Sequence, residues 1–242
     1  MPAHHIDRRN LLRIGAGAAL APLAFSPAWA QSPATTKIGV IGSGRVGGTV
    51  GSLWAKAGYP VLFSSRHPEE LKGLVEGLGA NARAGSVAEA AQFGDVVFVA
   101  VPYAALPQIG RDNEAALKGK VVLDACNPIA ARDGEIVQEA IANGVGETSQ
   151  KYLPGTRLVR AFNSFGAGAM ASEAHRAGEP IGVPIAGDDT GALEIAAKLV
   201  RDAGFEPVAV PLARAREFAP PGPLFRLALP VSELKARLGI KG

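Results

Sequence analysis

The stretch that decides the fold runs from Lys37 to Gly48 and reads KIGVIGSGRVGG. It places a Gly-x-Gly-x-x-Gly motif directly after a short apolar strand and at the start of a helix of small residues. Gly42 makes the tight turn, Gly44 lets the backbone approach a pyrophosphate, and Gly47 lets the helix pack close to the strand. The helix N-terminus offers free N–H groups to the phosphates. The motif predicts a dinucleotide site, and the alternative is a tight strand-to-helix turn without a ligand.

The end of the second predicted strand indicates whether the dinucleotide is NAD or NADP. NAD enzymes hold the ribose 2′-hydroxyl with a carboxylate about twenty residues after the glycines, and this chain has no carboxylate there. The strand ends instead in Ser64, Ser65 and Arg66, whose hydroxyls and guanidinium can hold a 2′-phosphate by charge-assisted hydrogen bonds. NADP(H) is therefore the predicted cofactor. The alternative for Arg66 is a solvated surface arginine.

The rest of the chain has the rhythm of a layered α/β protein. Short β-branched runs alternate with helical stretches, which is typical of a parallel sheet covered by helices on both faces. Strands are predicted near residues 37–42, 60–64, 81–84, 95–101, 120–125, 157–162, 182–186 and 206–210. The runs at 95–101 and 120–124 are almost continuously apolar, so we expect them at the centre of the sheet. The predicted fold class is α/β, a Rossmann-type doubly wound, mainly parallel sheet with a short helical C-terminal tail.

The predicted organisation has four parts. They are a signal peptide at 1–30, a linker at 31–36, the NADP-binding Rossmann domain at 37–212 and a tail at 213–242. The tail is too short for an independent domain, so we expect it to pack on the domain or on a partner.

Composition bounds the remaining choices. The 242 residues are 48% hydrophobic and 19% charged, which suffices for a real core. The single cysteine excludes an intramolecular disulfide. Much of the formal net charge of +3 comes from the first thirty residues, which carry three arginines and one aspartate. With no Lys/Arg cluster elsewhere, no nucleic-acid partner is expected.

The first thirty residues have the features of an export signal. The pair Arg8-Arg9 precedes an apolar run at 14–25 and an Ala-Trp-Ala ending at 28–30, a pattern that resembles a bacterial twin-arginine signal. The run is too short for a bilayer, which needs about 20 apolar residues, so no transmembrane segment is expected in the mature chain. We predict a periplasmic or otherwise exported protein that folds before it crosses. The alternatives are an N-terminal extension of a cytoplasmic enzyme and an uncleaved anchor.

From residue 37 to the end, the chain resembles the NADP-dependent reductases of the deazaflavin coenzyme F-420. It is similar as well to the NADPH-binding domain of ferric reductases and to the N-terminal domain of pyrroline-5-carboxylate reductase. Besides the glycine turn and residues 64–66, the matching stretches are VAVPY at 99–103, DACNP at 124–128, AFN at 161–163, AGDD at 186–189 and LGIK at 238–241.

The resemblance implies where the nicotinamide ring lies. It puts the ring beside Val101 and Pro102, with Asn127 and Asn163 bordering the same crevice, in agreement with the rule that ligands bind at the carboxyl ends of parallel strands. The alternative is that Asn127 turns the chain and Asn163 caps a helix. The predicted cofactor-binding residues are Gly42, Ser43, Gly44, Arg45, Val46, Gly47, Ser64, Ser65, Arg66, Val101, Pro102, Asn127 and Asn163.

The acceptor side departs from the family pattern. Where the deazaflavin enzymes carry hydroxyl side chains, residues 220–222 are Pro-Pro-Gly. No side chain stands out as a proton donor: Tyr103 is interpreted as a stacking or packing residue and Cys126 as a small buried hydrophobe. None of the four histidines has ligand spacing, so no metal site is predicted.

These features predict an NADPH-dependent oxidoreductase. Hydride would pass between NADP and a small-molecule or cofactor-like acceptor: a flavin-like ring, a deazaflavin or a metal complex. One alternative is a non-catalytic NADP-binding module whose tail docks on a partner or a second subunit. Another is a reductase of a small imine or carbonyl, although the long helical dimerisation domain usual in that class has no counterpart here. A homodimer is an open expectation.

Overall fold

The computed structural model describes residues 36–240, and every structural statement below refers to these residues. The strands are β1 (Ile38–Ile41), β2 (Val61–Ser64), β3 (Ala82–Gly85), β4 (Val96–Val99), β5 (Val121–Asp124), β6 (Arg157–Arg160), β7 (Gly182–Ala186) and β8 (Glu206–Val210). They form one eight-stranded sheet with the order β3-β2-β1-β4-β5-β6-β7-β8.

Helices and short turns fill the connections. The helices are α1 (Arg45–Lys56), α2 (Lys72–Glu76), α3 (Val87–Phe93), α4 (Leu106–Leu117), α5 (Ala130–Asp133), α6 (Ile136–Asn143), α7 (Val145–Tyr152), α8 (Ala167–Glu173), α9 (Thr190–Asp202) and α10 (Val231–Arg237). Short 3-10 helices cover Pro68–Leu71, Gly79–Asn81, Tyr103–Ala105 and Leu212–Glu217.

The sheet is parallel over its first six strands. β7 then runs antiparallel to β6, joined through Arg160 and Ala186, and β8 runs parallel to β7. The predicted Rossmann-type, mainly parallel sheet is confirmed. Its strand order reverses between β1 and β4, and at such a point the loops that leave neighbouring strands diverge and open a crevice.

Burial explains why these runs form strands. Every residue of β1, β2, β4 and β5 is buried, as expected for strands covered on both faces. β4 and β5 take the middle positions, as predicted from their apolar runs. α1, α8 and α9 pack in one core, and α3, α4 and α7 pack in the other.

An aromatic cluster anchors α1 in the first core. The Trp54 ring meets Phe98 and Phe162 edge to face, with centroid distances of 5.1 and 5.6 Å, a favourable arrangement for aromatic pairs. Its indole N–H donates to the carbonyl of Leu199 at 2.8 Å. These contacts therefore hold α1, the helix that starts at the glycine turn, against β4, the end of β6 and α9.

The residues after β8 pack on the second core. Leu224, Leu234 and Leu238 are buried there, and the α10 residue Leu234 reaches Gly182 of β7. No helix among residues 36–240 is long and apolar enough to cross a membrane.

Candidate functional site

A crevice of about 710 Å³ opens at the carboxyl ends of β1, β2 and β4. Seven of the predicted cofactor-binding residues line it: Gly42, Ser43, Gly44, Ser65, Arg66, Val101 and Pro102. Its position is the reversal in strand order where doubly wound sheets bind nucleotides. The start of α3 and one side of α4 complete the wall with residues that sequence reasoning missed, among them Val87, Gln108, Ile109 and Asp112.

Backbone geometry assigns a separate role to each motif glycine. Gly42 has a φ of +91°, and a Cβ there would lie 2.5 Å from Cγ1 of Val101. A Cβ on Gly47 would lie 1.9 Å from the carbonyl oxygen of Gly42. A Cβ on Gly44 would meet nothing within 4 Å. Gly42 and Gly47 are thus demanded by the turn and by helix packing, whereas the space beside Gly44 is open for a ligand.

The N-terminus of α1 supplies unpaired donors at this turn. The first helical hydrogen bond runs from Gly48 N to Gly44 O at 2.7 Å, which leaves the N–H groups of Arg45, Val46 and Gly47 without partners inside the helix. Gly44 provides no side-chain cap. Such groups bind phosphate oxygens readily.

One further observation indicates a missing partner at the turn. The hydroxyl of Ser43 is buried and has no hydrogen-bond partner within residues 36–240. Buried polar groups are nearly always satisfied, so the orphaned hydroxyl fits a site that takes a polar group. The open space at Gly44 and the donors of α1 fit a pyrophosphate at the same place.

The prediction for the Ser64 hydroxyl needs correction. Ser64 is fully buried, and its Oγ donates to the carbonyl of Val40 at 2.8 Å, across the β1–β2 pair. Its own carbonyl accepts the N–H groups of Gly42 and Ser43 at 3.2 and 2.9 Å. Ser64 therefore holds the glycine turn against β2, and its hydroxyl is already paired with the Val40 carbonyl of β1.

The polar groups at the crevice end of β2 come from the next two residues. Ser65 is half-buried and its Oγ accepts the N–H of His67 at 2.9 Å, which shapes the loop. Arg66 is exposed, lines the crevice and forms no ion pair within residues 36–240. The neighbouring acid, Glu69, lies 3.4 Å from His67 instead. The Arg66 guanidinium is thus available to an anion.

At the other end of the crevice, Val101 and Pro102 form the wall after β4. Asn127 and Asn163 are brought together, but neither lines the crevice. Asn127 Nδ2 donates to the carbonyl of Asn163 at 2.7 Å, and Asn163 Nδ2 donates to Asn127 Oδ1 and to the carbonyl of Phe218 at 3.2 and 3.3 Å. Their amides join the ends of β5 and β6 to the tail, and their contact with nicotinamide stays a prediction.

A buried ion pair at the ends of β5 and β6 was missed by sequence reasoning. Nη1 of Arg160 lies 2.5 Å from a carboxylate oxygen of Asp124, and the two side chains are 1% and 0% exposed. The residues are register partners in the parallel pair. The sequence did contain a signal for this pair, because two neighbouring buried strands end in residues of opposite charge.

Tyr103 and Cys126 are poor candidates for a proton donor. Both are almost completely buried, and burial raises the pKa of the Tyr103 phenol and of the Cys126 thiol. The phenol donates to the carbonyl of Val145 at 2.8 Å. Both lie in the second core and neither lines the crevice, which agrees with the interpretation of Tyr103 as a packing residue and of Cys126 as a small buried residue.

A second, smaller hollow of about 320 Å³ lies between α6, the loop after β5 and the tail. Its lining is mostly apolar and comprises Pro128, Ala140, Ile141, Val145, Arg216, Glu217, Pro220, Pro221, Gly222 and Pro223. Ile141 is 52% exposed at this hollow. Residues 220–222, where the resemblance implies hydroxyl side chains, thus form one wall of this concavity.

The acidic pair near residue 188 has a structural role. Asp189 is the N-cap of α9 and accepts the N–H of Ala192 at 2.8 Å, as acidic side chains commonly do at helix starts. Hydrogen bonds from Arg157 and from this N–H hold the pKa of the Asp189 carboxyl well below its usual range. Within residues 36–240, no three His, Cys, Asp or Glu side chains are grouped to hold a metal ion.

Comparison with known proteins agrees with this geometry. Residues 37–128 match the model of a family described as NADP oxidoreductase, coenzyme F420-dependent. The match covers the glycine turn, the end of β2 and the loops after β4 and β5.

Similar proteins include a metalloreductase and two solved structures. The metalloreductase STEAP3 of Rattus norvegicus is 29% identical over 185 residues, which are 75% of this chain and 35% of that protein, so the chain spans about a third of its length. The hypothetical protein SMa0349 from Sinorhizobium meliloti superposes with a TM-score of 0.70 at 27% identity, covering 81% of this chain and 95% of that one. A putative F420-dependent NADP reductase from Arthrobacter sp. FB24 gives 0.67 at 23% identity, covering 85% and 96%.

These matches confirm the predicted resemblance. Residues 37–128 match the model of this family of NADP-dependent oxidoreductases, and the two structures show that the fold extends over most of the chain. The predicted class, an oxidoreductase that uses NADP(H) on a Rossmann-type sheet, is confirmed.

The glycine geometry predicts opposite effects for two similar substitutions. Gly44→Ala should leave the melting temperature within a few degrees of wild type and weaken NADPH binding at least about tenfold, because its methyl group fills the space for the pyrophosphate. Gly47→Ala should cost more than about 2 kcal/mol of stability, because its methyl group collides with the Gly42 carbonyl. Thermal unfolding and NADPH fluorescence titration measure both effects. Unchanged NADPH affinity in Gly44→Ala would contradict the assignment.

Proposed function

We propose that this chain binds NADPH in the 710 Å³ crevice and catalyses its oxidation by a flat, cofactor-like acceptor. A flavin or a deazaflavin would take the hydride directly, whereas two metal chelates would take one electron each, with release of a proton. One observation carries the proposal: the same crevice is lined by the open glycine turn and by Arg66, which forms no ion pair within residues 36–240. The family match at residues 37–128 supports the same cofactor.

Each end of the crevice offers the chemistry that one part of NADPH requires. The donors at the start of α1 would hold the pyrophosphate. Arg66 and the Ser65 hydroxyl would hold the 2′-phosphate, which a guanidinium binds with charge-assisted hydrogen bonds. Arg45 is exposed, begins α1 and forms no ion pair within residues 36–240, so it adds positive charge on the phosphate side of the crevice.

The nicotinamide end would lie at the wall formed by Val101 and Pro102. NADPH supplies the hydride when bound, and the protein contributes position and exclusion of water. The wall at this end is apolar, and Tyr103 and Cys126 are unsuited to supply a proton. A ring that accepts hydride without a protein acid fits this environment better than a carbonyl or imine does.

The 320 Å³ hollow is the proposed seat of the acceptor. Pro128 lies in the loop that leaves β5, and Val145 accepts the hydrogen bond of Tyr103, the residue that follows Pro102. The hollow therefore adjoins the turn at Pro102 and Tyr103, and the reacting edge of a bound ring would extend past this turn to meet the nicotinamide. Its proline-rich wall and the exposed Arg216 favour a flat apolar ring that carries an anionic group.

Arg66 provides the first test. Arg66→Ala should weaken NADPH binding by about 10- to 100-fold and leave NADH binding within about twofold, because a charge-assisted hydrogen bond contributes about 1.5–3 kcal/mol and only NADPH carries the 2′-phosphate. Fluorescence titration with both nucleotides measures the difference. Arg83→Ala is the matched control, since Arg83 is an exposed arginine of neighbouring β3 outside the crevice lining. Equal affinity of the wild-type chain for both nucleotides would refute the 2′-phosphate site.

The acceptor site is tested by a charge placed at its mouth. Ile141→Glu should slow oxidation of bound NADPH by its acceptor at least about tenfold without changing NADPH affinity, because a carboxylate disfavours an apolar ring in the hollow. Stopped-flow mixing with a flavin, a deazaflavin and a ferric chelate identifies the acceptor class. Ile195→Glu on α9 is the control, since Ile195 is also an exposed large hydrophobic residue. Equal slowing by both variants would remove the hollow from the proposal.

The same experiment addresses the alternative function. The loss of hydroxyl side chains at residues 220–222 also fits a non-catalytic NADP-binding module. If wild-type protein binds NADPH tightly and none of the three acceptors oxidises it, this second reading replaces the first.

We further propose that residues 1–30, which lie outside the described residues, direct export through the twin-arginine route. The support is the pattern of paired arginines, apolar run and Ala-x-Ala ending. Arg8→Lys combined with Arg9→Lys should retain the protein in the cytoplasm, whereas Arg13→Lys, outside the pair, should not. Cell fractionation and N-terminal sequencing of the mature chain measure this. Equal distribution of both variants and wild type would contradict the proposal.

A further inference from the structure

The buried pair of Asp124 and Arg160 holds a single peptide segment from both sides. One carboxylate oxygen of Asp124 accepts the N–H of Cys126 at 2.7 Å. Nη2 of Arg160 donates to the carbonyl of the same residue at 2.6 Å. Both backbone polar groups of Cys126 are therefore fixed by the pair.

The Cys126 side chain connects this fixed peptide segment to the crevice wall. Its Sγ accepts the N–H of Val101 at 3.4 Å and lies 3.6 Å from the carbonyl of Val99. The thiol is protonated because burial raises its pKa, so one S–H group can donate to Val99 while the sulfur accepts from Val101. Val101 in turn packs against Gly42 and lines the crevice.

A second branch leads from the pair to the same turn. Nη1 of Arg160 donates to the hydroxyl of Ser149 at 3.0 Å, and this hydroxyl lies 3.2 Å from the phenol oxygen of Tyr103. Tyr103 directly follows Pro102. The turn at 101–103 is thus tied to the pair through a thiol at one end and through a hydroxyl and a phenol at the other.

A merely stabilising role explains this arrangement poorly. Removing two charges from water costs several kcal/mol per ion, and replacing a buried ion pair by apolar residues is often neutral or stabilising. The same strand shows the contrast, because Arg157 at its other end pairs with Asp189 at the surface, where the side chains are 38% and 41% exposed. The fully buried pair stands at the end of the strand that faces the proposed chemistry.

We propose that Asp124 and Arg160 are positioning residues for hydride transfer, which set the place of the Val101–Pro102 wall through Cys126 and through Ser149 and Tyr103. The inference rests on the proposed function, because the reaction that the pair would serve is the proposed hydride transfer. It concerns the nicotinamide end alone, so it predicts separate effects on transfer and on nucleotide affinity.

The variants are chosen to separate position from folding. Removing one partner alone leaves a buried charge and can unfold the protein, so the pair is replaced together as Asp124→Leu with Arg160→Met. Cys126→Ala breaks only the link to Val101, and Cys126→Ser restores a group that can donate and accept. Arg157→Met with Asp189→Leu is the matched control, since it removes the exposed ion pair that Arg157 forms at the other end of β6.

We expect the double variant and Cys126→Ala to transfer hydride about 10- to 100-fold more slowly in single turnover, with NADPH dissociation constants within about twofold of wild type. Cys126→Ser should recover part of the rate. In the nucleotide-free protein, the Val101 amide should shift in the ¹H–¹⁵N spectrum and exchange faster with solvent in Cys126→Ala. The control pair should change the melting temperature without changing the rate or this amide.

The outcomes distinguish this inference from the proposed function. The inference would be overturned if the Asp124/Arg160 double variant and Cys126→Ala both kept the wild-type rate and an unshifted Val101 amide. It would also be overturned if the transfer rate fell in proportion to the melting temperature in every variant, including the control pair. If wild-type protein binds NADPH but reduces no acceptor, the proposed function fails. The Val101 amide and the emission spectrum of bound NADPH then still report whether the pair positions the wall and the ring.

Discussion

The close passage of α1 over the end of β1 is the constraint on which the rest of the site depends. A Cβ on Gly47 would approach the Gly42 carbonyl to 1.9 Å, and a Cβ on Gly42 would strike both Val101 and the Ala100 carbonyl. The ends of β1 and β4 and the start of α1 therefore meet at a place where neither glycine has room for a side chain. Because the backbones are so close, the unpaired N–H groups of α1 and the wall after β4 face the same crevice.

Charge is distributed around this turn in two ways that suit different tasks. Arg66 and Arg45 are exposed and unpaired within residues 36–240, so they remain available to a mobile anion. Arg160 is enclosed and satisfied by Asp124, Cys126 and Ser149, although its Nε has no partner within the described residues. Solvent exposure allows binding and release, whereas burial fixes geometry, because a buried charge has few alternative arrangements.

The two halves of the site also differ in how closely they follow the family. The phosphate end keeps the glycine turn and the Ser-Arg sequence, and it lies inside the matched residues 37–128. The proposed acceptor end is built partly from the tail, where prolines form a rigid apolar wall. A shared cofactor with a changed acceptor wall is a simple way for one sheet to serve different reductions, since the loops and tail at the strand ends can change without disturbing the core.

The sequence by itself determined the strands, the mainly parallel sheet and the glycine turn at one end of the crevice, because burial on both faces and the glycine spacing are local properties of the chain. It misassigned the Ser64 hydroxyl, since the hydrogen bond from this hydroxyl to Val40 forms only when β2 pairs with β1. Only the tertiary structure brought Asp124, Cys126 and Arg160 together, and only it set Asn127 against Asn163. These contacts join residues that are distant in the chain, and they exist because neighbouring strands and the tail end at the same edge of the sheet.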